Sequence, residues 1–171
     1  MKRKLIIIIA LLAIILMGAR LFAGKAQQEE EREIEELSGK IVLYFKGKNE
    51  MELGKEYRNV SINSIRENAG KTIVEEVLKG PTSEELVSTI PEETRLLAVS
   101  VEGNMAIVDL SREFIEKQQN NAADSLLGIY SIVNSLTELT EIEQVKFLIE
   151  SREAESYNGY FDMSKPFVRS I

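Results

Sequence analysis

Arg95-Leu-Leu-Ala-Val-Ser-Val-Glu-Gly-Asn-Met-Ala-Ile-Val-Asp-Leu-Ser111 is the stretch from which the fold is read. Arg95 to Glu102 and Met105 to Leu110 are two β-branched, alternating runs, and only Gly103-Asn104 separates them. Two residues with glycine first are what a type II′ hairpin turn needs, because glycine alone enters the left-handed region without a Cβ penalty. The spacing predicts an antiparallel hairpin here.

On the N-terminal side of this hairpin, Ile65, Ala69, Ile73 and Val77 recur every four residues with Val74 and Leu78 beside them. That is one face of an amphipathic helix, and Gly80-Pro81 stops it. Ile41 to Phe45 (IVLYF) forms a first strand, Lys46 to Gly54 a polar loop and Tyr57 to Ile62 a short second strand. Gly54-Lys55 carries no phosphate cradle, since Glu56 stands where a magnesium-binding Ser or Thr is required. Thr82 to Pro91 is expected to be a loop with a helical turn through Glu84 and Glu85. On the C-terminal side, Asn121 to Leu139 carries a stripe of Leu126, Ile129, Val133 and Leu136, and Val145 to Ile149 is a returning strand. The order strand, short strand, helix, hairpin, helix, strand describes an α+β fold: a small, mainly antiparallel sheet with two helices on one face.

The 171 residues divide into three expected segments. Residues 1–24 open with Lys2, Arg3 and Lys4 before the unbroken apolar run Leu5 to Gly18, as membrane anchors and signal peptides both do. Extended to Phe22, with Arg20 snorkelling, the run approaches the ~20 residues a bilayer core needs. A small-residue cleavage site fits only loosely at Gly24-Lys25-Ala26, so a retained transmembrane helix is expected, with secretion after cleavage as the alternative. Basic residues before the run and Glu29 to Glu31 after it put the N-terminus in the cytoplasm and the rest outside. Residues 25–39 are an acidic linker, and residues 40–171 make one domain.

The net charge is −7, and without Lys2, Arg3, Lys4 and Arg20 the remainder has 17 basic residues against 28 acidic, a balance of −11. Such a surface repels nucleic acid. With no cysteine and no histidine, disulfides, thiolate chemistry, a lipid-bearing cysteine and the commonest general base are all absent from this sequence.

Strand IVLYF, the helix ending Leu78-Lys79-Gly80-Pro81, Ala106-Ile107-Val108-Asp109-Leu110-Ser111 and Ile132-Val133-Asn134-Ser135-Leu136-Thr137 together resemble the GerMN domain, over about Ile41 to Phe167. The resemblance implies a fold similar to the ring-building domains of envelope-spanning secretion assemblies, with no catalytic residues, no cofactor and no metal. It implies a role in sporulation or spore germination, with other envelope proteins or further copies of itself as partners. Better-known members carry the domain twice behind a lipid-modified cysteine, whereas this sequence has one copy and no cysteine.

Asp109-Leu-Ser111-Arg-Glu-Phe114 is echoed by Asp162-Met-Ser164-Lys-Pro-Phe167. In each, Asp and Ser are expected to bond nearby backbone amides while the Phe returns to the core. Neither has the converging oxygens that calcium takes, so Gly80, Pro81, Asp109, Ser111, Phe114, Asn134, Asp162, Ser164 and Phe167 are expected to be structural. The competing reading is a wall-associated peptidoglycan-binding protein or hydrolase. It would use Asp109, Glu113, Glu150 and Asp162 as a source of paired carboxylates and Tyr157, Tyr160, Phe161 and Phe167 to stack on sugar.

Overall fold

The computed structural model describes residues 20, 37–118, 122–157 and 159–170. The chain separates into units 1–39 and 40–171, and the anchor and most of the acidic linker lie outside the described residues. Among the described residues no helix is long and apolar enough to cross a membrane.

The described elements are β1 (Ser38–Gly47), β2 (Leu53–Ser61), α1 (Ile62–Leu78), β3 (Leu86–Val87), β4 (Leu96–Glu102) and β5 (Met105–Leu110), then α2 (Glu113–Glu116), α3 (Ala122–Leu136), β6 (Gln144–Ile149), β7 (Arg152–Glu153), β8 (Ser156–Tyr157), β9 (Phe161–Asp162) and β10 (Phe167–Val168). The hairpin is β4–β5, with Glu102 opposite Met105 and Val99 opposite Val108. Gly103 sits at φ 64° and Asn104 does not share a positive φ, as a type II′ turn requires.

The strands form two sheets and a ribbon where one mainly antiparallel sheet was expected. One sheet has the order β2-β1-β3, the second β10-β6-β5-β4 with β7 on β6, and β8 pairs with β9. Within the larger sheet β5 and β6 run parallel, with Val108 opposite Phe147. The reason is connectivity: α3 lies between them in the chain and supplies the crossover that parallel neighbours need. The polar loop after β1 is shorter than expected, Gly47 N–H bonding Glu52 O at 2.9 Å, and the Thr82 to Pro91 loop contributes β3, whose Val87 pairs with Lys46.

Because β3 reaches only Lys46 and Gly47, the Tyr44 amide has no strand partner on that side, and it donates to the buried Ser135 hydroxyl of α3 at 3.0 Å. Helix α1 touches both β2 and β4. Both helices therefore meet both sheets around one core that includes Leu43, Phe45, Ile73, Val74, Val108, Ile132, Val133 and Phe147.

Helix α1 is broken at Asn68, which is extended (φ −161°, ψ 96°). Its side chain accepts the Lys71 N–H at 2.8 Å and so caps the second half of the helix, and its amide donates to Val99 O at 3.2 Å. The kink lets Gly70 approach β4 closely: a Cβ there would lie 3.1 Å from Val99 Cγ1.

Candidate functional site

Of the two echoed motifs, the second behaves as a local turn. Asp162 Oδ1 accepts from Ser164 N (2.9 Å) and Ser164 Oγ (2.5 Å), and these bonds hold its carboxyl below the usual range, with Lys165 adding a smaller share. The first motif is different: Asp109 bonds to Ser151, 42 residues away, through Oδ1 to the amide (2.9 Å) and Oδ2 to the hydroxyl (2.8 Å). Ser111 Oγ accepts the Arg95 amide at 2.9 Å and ties the two ends of the hairpin.

Asp109 is needed where it is because Glu150 (φ 50°) and Ser151 (φ 62°) form a left-handed two-residue turn between β6 and β7 with side chains that disfavour it. Glu150 Oε1 in turn accepts the Arg112 amide at 3.1 Å. Asp109→Asn is expected to cost about 1 kcal/mol, since one acceptor is kept, and Asp109→Ala about 2 to 3 kcal/mol, since both donors lose their partner beside a strained turn. Denaturant melts of the two variants check this, and equal losses would show that the clasp is not what Asp109 supplies.

The two phenylalanines of the echo converge on one ring. Phe114 stacks on Phe147 at 5.9 Å and Phe167 meets it edge-on at 5.7 Å. Tyr157 is fully buried against Phe114 (4.9 Å) and donates its hydroxyl to Phe114 O at 2.8 Å, and burial raises that hydroxyl's pKa strongly. Of the aromatics proposed to stack on sugar, Tyr157 and Phe167 thus belong to the packing, while Tyr160 is exposed and Phe161 half-buried beside it.

Gly80 has φ 80°, a conformation glycine is needed for, and it leads into Pro81. Around this turn lies a network that the sequence pattern did not reveal. Arg58 of β2 donates to Gly80 O (2.9 Å), Glu76 O (2.9 Å), the Glu76 carboxylate (3.0 Å) and the Glu56 carboxylate. Glu56 Oε2 accepts the amides of Thr82 (2.8 Å) and Ser83 (3.0 Å). Burial works against both carboxylates, and Arg58, the two amides on Glu56 and Lys79 on Glu76 outweigh it, leaving both pKa values lowered.

Asn134 of α3 exchanges two bonds with Ser170, Nδ2 to O at 3.0 Å and N to Oδ1 at 3.2 Å, strapping the C-terminal segment to the helix. Arg169 beside it bonds Glu138 and the Tyr44 hydroxyl. A groove of about 560 Å³ opens here, with Met51, Leu53, Leu126, Leu127 and Tyr130 along it and Lys55 at its rim.

Of the four acids weighed for hydrolysis three are hydrogen-bonded, Asp109 with Ser151, Asp162 with Ser164 and Glu150 with the Arg112 amide, while Glu113 lies 3.4 Å from Arg95 and its Oε2 accepts no hydrogen bond among the described residues. No group of three or more acids among the described residues is placed to hold a metal ion.

Among the solved structures that resemble this chain are three from Clostridium perfringens and Bacillus subtilis. A candidate lipoprotein from Clostridium perfringens shares 26% identity and a TM-score of 0.56, over 77% of this chain and 87% of that one. The tandem GerMN domains of the sporulation protein GerM from Bacillus subtilis give 16% identity and a TM-score of 0.62, over 78% of this chain and 46% of the tandem. The first GerMN domain of the same protein gives 19% and 0.55, over 71% and 90%. No curated protein matches this sequence. Residues 42–155 match the family model described as Germane, sporulation and spore germination, and this chain belongs to that GerMN-type family.

Proposed function

We propose that this chain is a non-catalytic binding and assembly module of the bacterial envelope, acting in sporulation or germination and held outside the membrane by residues 1–24, with residues 25–39 as a solvated spacer. The observation that carries the reading is the employment of the acids. A hydrolytic pair needs two carboxylates free to face a substrate and exchange protons, and Asp109, Glu150 and Asp162 are instead each bonded within a turn or to an amide, leaving Glu113, which faces Arg95 at 3.4 Å, without a second free carboxylate among the four. The likeness to a candidate lipoprotein supports an extracytoplasmic placement. The partners are other envelope proteins or further copies of the chain.

The test is complementation of a strain lacking the protein, scored for spore yield and germination. Single Asn or Gln replacements of the four acids are expected to retain activity, because catalytic carboxylates contribute at least ~100-fold in rate and clasps do not. A folded, correctly localised amide variant with no activity would overturn the reading in favour of a hydrolase. A reporter fused after Ile171 is expected to be active outside the cytoplasm, and cytoplasmic activity would reverse the topology.

A further inference from the structure

Strand β4 is the last strand of the larger sheet, with β5 on one side and no strand on the other among the described residues. The two-residue turn makes Glu102 and Met105 a hydrogen-bonded pair, so Ser100 and Ala98 also bond inward while the backbone groups of Val99 and Val101 point to the open edge. The edge has no proline and no lysine within Leu96–Glu102, and Leu97 and Val101 are 45% and 48% exposed, so two of the usual protections of an edge strand are missing. Two guards remain, the bulge beside Leu97 and the Asn68 amide on Val99 O.

We propose that this edge pairs with the same edge of a second copy, antiparallel, about a two-fold axis at Val99. The inference rests on the assembly-module reading and names its partner. Register and charge carry it. Val99 lies opposite Val108, Glu102 opposite Met105, and Arg95 bonds Ser111, so Glu102 and Arg95 stand three ladder steps on either side of Val99 because the bulge beside Leu97 absorbs one residue. Pairing Val99 with its counterpart therefore sets Glu102 of each copy against Arg95 of the other, Val101 against Leu96 and Leu97, and Ser100 against Ala98. Both charged side chains are exposed, Arg95 also lying 3.4 Å from Glu113 of its own copy, and an open groove beside Leu96, lined also by Leu78 and Lys79, leaves room at the Arg95 end. Charges of opposite sign face each other at both ends, and the two exposed large apolar residues of the strand cover one another. On pairing, the second copy's Val99 amide replaces Asn68 on the Val99 carbonyl.

The full-length chain in non-ionic detergent micelles, followed by sedimentation equilibrium at low salt, tests this. Reversing Glu102→Arg or Arg95→Glu alone turns two attractions into two repulsions and is expected to weaken dimerisation by about tenfold. The double reversal should restore it to near wild type. Asn68→Asp keeps the helix cap but loses the donor to Val99, and should strengthen dimerisation by several-fold. Thermal melts of each variant establish that it is folded. Single reversals without effect, a folded double variant that stays as weak as the singles, or wild type and Asn68→Asp both monomeric at about 1 mM would each overturn the proposal. Such a failure with intact complementation removes the second copy as partner and leaves the module reading standing, whereas an inactive amide variant removes the reading itself.

Discussion

Arg58→Met destabilises the domain by about 3 to 5 kcal/mol at neutral pH, the cost of removing one partner from a buried ionic network. The Arg58 side chain is 13% exposed, Glu56 8% and Glu76 13%, so the two carboxylates cannot turn to water when the guanidinium is gone. Methionine keeps an unbranched aliphatic side chain at this position but removes the guanidinium, whose Cζ lies 5.9 Å over the Phe45 ring, so the loss includes that contact as well as the ion pairs. The same change frees the carbonyls of Glu76 and Gly80, loosening the turn that directs the chain from α1 towards β3. The pH dependence has a defined sign. Glu56 and Glu76 are held below their ordinary 4.5 in the folded state, so the stability they contribute is complete above that value and is lost as pH falls through their lowered folded values. Wild type is therefore expected to melt at progressively lower temperature below about pH 4.5. In Arg58→Met each carboxylate loses one of the partners that hold it down, while Glu56 keeps the Thr82 and Ser83 amides and Glu76 keeps Lys79, so both protonate more readily than in wild type and the penalty of the substitution shrinks in acid. Paired melts at pH 7 and pH 3 read this, and a penalty of the same size at both would refute the electrostatic account.

Ile73→Asp and Val133→Asp are each expected to abolish cooperative folding. Ile73 is 1% exposed on α1 and Val133 is fully buried on α3, both in the core shared by the two sheets. A carboxylate at either place finds no partner, and burying it unpaired costs several kcal/mol in addition to the lost apolar burial. That sum is comparable to the ~5 to 15 kcal/mol by which whole domains are stable. Far-UV circular dichroism and a thermal melt suffice, and a wild-type-like transition from either variant would mean that the buried stripe has been misassigned.

The two aspartates of the repeated motif show where legibility in the sequence ends. Asp162 bonds Ser164 two residues on, a partner within reach of any extended turn, so its role can be read from three consecutive residues. Asp109 sits in the same local pattern, yet its partner is Ser151, and no spacing rule connects them. What decides is that β6 lies parallel to β5 and brings its end, with the left-handed Glu150 and Ser151, beside Asp109. Arg58 is a similar case: its partners are 2, 18 and 22 residues distant, and in the sequence it is one cation among many. The helix from Ile65 to Leu78 was legible from its four-residue period, but not the break at Asn68, because an asparagine within an apolar period looks like a solvent-facing residue until β4 is placed against it.

By itself the sequence determined what depends on neighbours along the chain. The Gly103-Asn104 hairpin, the apolar faces of both helices, the stop at Gly80-Pro81 and the α+β order follow from side-chain periodicity and from the few residues that tolerate special backbone angles. Only the tertiary structure decided the division into two sheets, the parallel β5–β6 pair, the long-range clasps and the open edge of β4. Each of these is a choice among partners far apart in the chain, and that choice is made by how the helices pack and which strands the crossover brings side by side.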